Sequence, residues 1–140
     1  MKIKVKRLDG TLKNIGYAKE GDAGFDLYTR EQITLEPMIQ ITIPTGVALE
    51  IPDGYVGLVW DKSSIAIKNG LKVLGGVIDS GYRGEVVVGM INLGSESYTF
   101  SKGDKVAQMI IQKFEHAEFE MAETLSDSHR GDTGFGSSGK

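Results

Sequence analysis

The stretch ITLEPMIQITIPTGVALEIPDGYVGLVW, residues 33–60, carries the fold in its spacing. Ile33 and Leu35 alternate with polar residues, and Ile39, Ile41, Ile43 and then Val47, Leu49, Ile51 do the same. Successive side chains of a strand point to opposite faces, so a period of two predicts strands with one buried face. Glu36-Pro37 and Pro52-Asp53-Gly54 interrupt the runs with turn chemistry, and Tyr55 to Trp60 resumes as a further strand. Outward from here, Leu71 to Ile78, Glu85 to Asn92, Tyr98 to Phe100 and Val106 to Phe114 read the same way. At the amino end Ile3 and Val5 alternate with Lys2, Lys4 and Lys6, and Asp9-Gly10 predicts a two-residue hairpin after that strand. Ser63 to Lys68 predicts one short helix with a serine N-cap. Turn signals at this density predict an all-β sandwich or barrel.

The chain has 140 residues, the size of one ordinary domain. It contains no cysteine, which excludes disulfides and thiolate chemistry. His116 and His129 are the two histidines; neither has a partner pattern, and both read as surface residues. A net charge of −3, from 16 Lys and Arg against 19 Asp and Glu, argues against a partner tracked along its phosphates, so no nucleic acid is expected. No apolar run approaches the ~20 residues of a membrane span, so no membrane partner is expected. The alternating amino terminus is unlike a secretory signal. A cytoplasmic setting is the expectation, or a host-cell interior if the chain is viral or phage-encoded. The 19 glycines are about twice the usual ~7% and call for turns, close approaches or a mobile segment. Residues 1–125 read as the β domain. Residues 126–140 hold one large apolar residue, Phe135, and read as a mobile carboxyl-terminal arm.

Five segments carry a family resemblance: Ala23-Gly24-Phe25-Asp26-Leu27, Lys62-Ser63-Ser64-Ile65-Ala66, Gly76 to Gly84, Gly103-Asp104-Lys105-Val106-Ala107-Gln108, and Arg130 to Gly139. In order and spacing they resemble the trimeric dUTPases (deoxyuridine triphosphate nucleotidohydrolases) over essentially the whole chain. The resemblance implies a distorted jelly-roll β-barrel with one short helix and a flexible arm. It also implies a homotrimer with sites shared between subunits, and Mg2+-assisted hydrolysis of dUTP to dUMP and pyrophosphate.

Taken alone, Asp79 reads as a turn aspartate bonding its own backbone. The resemblance makes it the residue that orients the attacking water and bonds the sugar 3′-OH. Aspartate is a weak base, so its value there is positioning as much as proton removal. Tyr82 alone reads as packing; by resemblance its ring lies flat against the deoxyribose and leaves no room for a 2′-hydroxyl. Gly75-Gly76-Val77-Ile78 would bring backbone donors and acceptors to uracil, and cytosine, with the reverse order, would face unpaired groups. Asp26 alone is a strand-start aspartate; by resemblance it supports Mg2+ through water, a metal that keeps several waters and leans on substrate phosphates.

Lys62, Ser63 and Ser64 alone read as a solvated helix start; the resemblance assigns them to phosphate. Lys62 stands where the family usually has Arg, so it keeps the charge without the planar fork. Gln108 alone is a polar residue on a strand, and the family's matching Gln bonds a phosphate oxygen. Arg130, Phe135, Gly136, Ser137 and Ser138 match the family's closing lid, in which the Phe stacks on uracil and the Arg and hydroxyls hold distal phosphates. Thr133 replaces a usual glycine and Ser138 a usual Thr. Asp61 replaces a usual Pro, and nothing in the sequence accounts for a carboxylate beside a phosphate site. Trp60 reads as packing.

Two further readings stay open. A dCTP deaminase would share the Ser63-Ser64 and Asp79 segments, but it needs a Glu where Gly89 stands and an Arg where Ile67 stands. A trimeric nucleotide-binding regulator with weak catalysis is the other, favoured by Lys62, Asp61 and Thr133.

Overall fold

The computed structural model describes residues 1–129, 131 and 132. Its strands are β1 (Lys4–Arg7), β2 (Gly24–Tyr28), β3 (Ile33–Leu35), β4 (Gln40–Pro44), β5 (Val47–Glu50), β6 (Tyr55–Trp60), β7 (Leu71–Leu74), β8 (Val77–Ile78), β9 (Val87–Asn92), β10 (Tyr98–Phe100) and β11 (Lys105–Lys113). The helix α1 (Ser63–Asn69) lies between β6 and β7. Among the described residues these strands pair antiparallel in the orders β1-β5, β10-β3, β2-β11-β6-β8 and β4-β9-β7. Chain neighbours β3, β4, β5 and β6 thus fall in four different sheets, the interleaving of a jelly roll. Phe25, Leu27, Val59, Ala107 and Met109 from one large sheet share a single core with Ile43, Leu71, Val73, Val88 and Met90 from the other. No helix among the described residues is long and apolar enough to cross a membrane.

The alternation at 41–51 does its expected work, with Ile43, Val47, Leu49 and Ile51 buried and Ile41 packed against them, but Ile39, beside the Glu36-Pro37 turn, is exposed. The Glu36-Pro37 and Pro52-Asp53-Gly54 turns form, with Ile39 N–H donating to Glu36 C=O at 3.1 Å and Tyr55 N–H to Pro52 C=O at 3.2 Å. Asp9-Gly10 turns but makes no hairpin. Asp9 Oδ1 accepts from the Thr11 N–H and hydroxyl at 2.9 and 2.7 Å, which bends the chain locally, while β1 pairs with the distant β5. Local turn chemistry fixed the bend and said nothing about the partner.

Leu71 to Ile78 is two strands rather than one, because the chain changes sheets at Gly75-Gly76. Both glycines have positive φ, 69° and 109°. The Val59 N–H donates to Gly76 C=O at 2.8 Å, and a Cβ on Gly76 would stand 2.7 Å from the Val59 oxygen. Gly76 therefore serves the close approach of β6. We expect Gly76→Ala to destabilise the domain by about 1–3 kcal/mol from backbone conformation and crowding, read as a lower urea midpoint with little change in slope.

Candidate active site

Three strands set one half of the site. Pairing places Asp26 on β2 level with Gln108 on β11, and Gln108 level with Trp60 on β6. Gly24 clears space for the glutamine, since a Cβ there would lie 2.9 Å from Gln108 Oε1. Gln108 Nε2 donates to the Asp61 carbonyl at 2.9 Å. The Asp61 carboxylate accepts the Val73 N–H at 2.6 Å and pairs with the Lys72 ammonium. Asp61 is thereby a brace between β6 and β7 with its charge matched, which accounts for a carboxylate next to Lys62. Trp60 is half exposed instead of packed, because it ends β6 beside a groove. That groove of ≈ 200 Å³ is lined by Trp60, Asp61, Lys72, Gly75, Gly76 and Val77 among others.

Asp26 is buried, and both its oxygens accept from lysines: Lys62 Nζ lies 2.5 Å from Oδ1 and Lys105 Nζ 2.6 Å from Oδ2. Burial works to raise its pKa, but the Lys105 and Lys62 ammoniums outweigh burial and hold it below the usual carboxylate value. The same bond to Asp26 pushes the Lys105 pKa up. A depressed folded pKa contributes stability that is fully present above the unfolded value near 3.8 and is lost as pH falls through the folded one. We expect Asp26→Asn to be less stable than the parent at pH 7, with the gap closing below pH 3.8, as read from urea midpoints across pH. Lys105 received no role from the sequence. Its signal is a charge entering an apolar strand, and its partner is knowable only from how β11 and β2 sit together.

Ser63 and Ser64 are exposed at the start of α1, beside Lys62. The N-cap is Lys62, without a side-chain bond, and not a serine. Both serines thus follow the Asp26–Lys62 pair directly in the chain, on exposed positions.

The other half lies elsewhere. Val77 and Ile78 pair with Leu58 and Gly57 at the far edge of the same sheet. Asp79 follows them, exposed, and its carbonyl accepts the Tyr82 N–H at 3.1 Å. Between β2 and β8 stand two strands, so Asp79 is separated from Asp26 by about 14 Å across the sheet and about 13 Å along it. The structure thus gathers Asp26, Lys62, Ser63, Ser64 and Gln108 on one side and Ile78, Asp79 and Tyr82 on the other, while Gly76 and Val77 line the groove beside Trp60 and Asp61. Arg130, Phe135, Gly136, Ser137 and Ser138 lie outside the described residues. His116 and His129 are exposed, as expected. The features a deaminase would need do not appear: a Cβ at Gly89 would crowd the Leu74 carbonyl at 3.0 Å, and Ile67 is 84% exposed without a charge to offer.

A family model described as dUTPase matches residues 11–139. A deoxyuridine 5'-triphosphate nucleotidohydrolase of Bifidobacterium longum (strain DJO10A) is 48% identical over 126 residues, covering 88% of this chain and 80% of its own. Another, from Clostridium kluyveri, is 41% identical over 141 residues and covers 99% of both. Among solved structures, the Staphylococcus bacteriophage 80alpha dUTPase with dUpNHpp superposes with a TM-score of 0.93, 30% identity and 99% coverage of both chains. A variant dUTPase from phage phi11 of S. aureus, described for its coordination of a structural Mg(II) ion, gives 0.82 at 27% identity, covering 89% of this chain and 99% of its own.

Proposed function

The chain belongs to the dUTPase family and is a dUTP diphosphatase, and from that premise we propose that it forms dUMP and pyrophosphate through a water aimed by Asp79 at the α-phosphorus, in sites shared between the subunits of a homotrimer. The observation that carries this reading is the split of the motifs between two edges of one sheet. Asp79 in one copy stands about 10 Å across the sheet and about 13 Å along it from the same copy's Gln108, a separation that favours a site completed by a neighbour. A second copy brings the halves together. Phe119, Met121 and Leu125, each at least 90% exposed past β11, support association, since apolar side chains on an extended segment gain by being covered.

In such a site the backbone from Gly76 to Ile78 reads the uracil edge and Tyr82 lies against the sugar. Asp79 bonds the 3′-hydroxyl and holds the water in line. Lys62, Ser63, Ser64 and Gln108 engage phosphate oxygens, Lys62 turning from Asp26 to do so. Arg130, Phe135, Gly136, Ser137 and Ser138 would close over the nucleotide from the arm, residues 126–140. Catalysis then rests on positioning and on fixed charge around the triphosphate. Hydrolysis of dUTP to dUMP and pyrophosphate in a cytoplasmic or host-cell setting would limit uracil entry into DNA and supply dUMP for thymidylate synthesis.

Among the described residues no group of three His, Asp or Glu side chains could hold a metal alone. One carboxylate already bonded to two ammoniums fits Mg2+ only as a hydrated ion carried on the triphosphate, with Asp26 touching it through water. The structural Mg(II) of the phi11 relative supports the metal's presence. When bound, Mg2+ screens the charge that develops on the phosphates. The test is pyrophosphate release from dUTP, dCTP, dTTP and UTP, with and without Mg2+, alongside the mass of the assembly in solution. Mg2+-dependent release from dUTP by a trimer is expected. Full activity from a monomer would overturn the shared site.

A further inference from the structure

The ring of Tyr82 rests on Gly84. A Cβ on Gly84 would lie 2.6 Å from Tyr82 Cζ and 3.0 Å from Cε2, and closer still to the hydroxyl oxygen. Gly84 has no positive φ, so its backbone would accept an alanine; what excludes a side chain there is the tyrosine. The Tyr82 hydroxyl donates to the Glu85 carbonyl at 2.9 Å. Glu85 is itself anchored: Oε1 accepts the Gly46 N–H at 2.7 Å and pairs with Arg30 Nε at 3.1 Å. Next along, the Val86 N–H donates to Val47 C=O at 2.8 Å, and the Val86 carbonyl accepts from the Thr45 N–H at 3.3 Å and hydroxyl at 2.5 Å. The hydroxyl end of Tyr82 is therefore fixed to a segment stitched into the β4–β5 bend, and the residue remains 45% exposed.

Rejection of a 2′-hydroxyl by contact works only against a surface that does not yield. A ring free to swing by about 1 Å would admit ribose at little cost, because supporting residues decide how exact a contact is. We propose that Gly84 and Glu85 are positioning residues that hold Tyr82 rigid and so set the discrimination between dUTP and UTP. This rests on the reading of Tyr82 as the wall beside the sugar. Gly84 supplies a flat seat, and the Glu85 carbonyl latches the hydroxyl. The Arg30 and Gly46 anchors keep that latch in place. The seat acts through Tyr82, so its signature is a change in selectivity.

The experiment compares kcat/KM for dUTP and for UTP in the parent protein, Tyr82→Ala, Gly84→Ala and Tyr82→Phe. Gly84→Ala is expected to lift the ring and reduce the dUTP-to-UTP ratio by roughly tenfold or more, mainly through gained use of UTP. Tyr82→Phe keeps the ring, loses the latch, and should reduce the ratio by a smaller factor. A Gly84→Ala protein that loses activity on both nucleotides in proportion, with its ratio intact, overturns the proposal. Should Gly84→Ala fail to fold, Tyr82→Phe decides, and an unchanged ratio overturns it. Tyr82→Ala separates the two levels. If its ratio equals the parent's, the sugar-wall reading itself fails; if its ratio collapses while both other variants keep theirs, only the seat fails.

Discussion

Asp79→Asn lowers dUTP turnover by about 10²–10⁴-fold, the usual worth of a positioned acid or base, while affinity for the slow analogue dUpNHpp stays near the parent's. The aspartate stands exposed after β8 and no ion pair among the described residues engages it, so its removal costs the fold little. Asparagine has the same shape and keeps a carbonyl oxygen for the sugar hydroxyl. It loses the charge and the second acceptor that align a water on phosphorus. The effect therefore falls on kcat, an interaction made chiefly in the transition state. Pyrophosphate release measures the first quantity and calorimetric titration the second. Turnover near the parent's would sink the assignment of Asp79. A matching loss of analogue affinity would make it a binding residue instead.

The second large effect is recovery of activity from two inactive proteins. A variant lacking Lys62 and Gln108 retains Asp79, and Asp79→Asn retains Lys62 and Gln108. If a site takes Asp79 from one copy and the phosphate-binding group from another, random mixing in equal amounts restores about a quarter of the sites. The two proteins are mixed under mild denaturant, returned to buffer, and assayed against each protein refolded alone. Return of about a quarter of parental turnover is the expected result. A mixture as inactive as its parts would mean that each copy builds its site alone, against the separation of Asp26 from Asp79 across the sheet.

Much of this arrangement was legible because strands announce themselves by period. β6 runs from Tyr55 to Trp60 as read, and β10 from Tyr98 to Phe100. Pairing was not legible, since it depends on residues far apart in the chain. Asp9-Gly10 formed its turn without a hairpin, and β1 found β5. Gly75-Gly76 was the visible signal for a break in Leu71 to Ile78. Its purpose, a crossing between sheets against Val59, needed the partner strand to be known. The helix was foreseen, but its cap fell to Lys62, whose side chain is engaged with Asp26. The candidate residues Asp26, Lys62 and Gln108 could be picked by motif, and Asp26 pairs with Lys62 and stands level with Gln108. Lys105 and the bracing role of Asp61 could not, because each is defined by a bond formed across the fold.

The pairing of Asp26 with two lysines bears on how a catalytic cycle ends. An enzyme that grips a polyanion with bare cations tends to keep its product. On the proposed reading of Lys62, the cation that pyrophosphate vacates would have a waiting counter-charge within its own chain, the Asp26 carboxylate. The same carboxylate would compete with small anions in the surroundings, so that reading makes the resting site self-quenched.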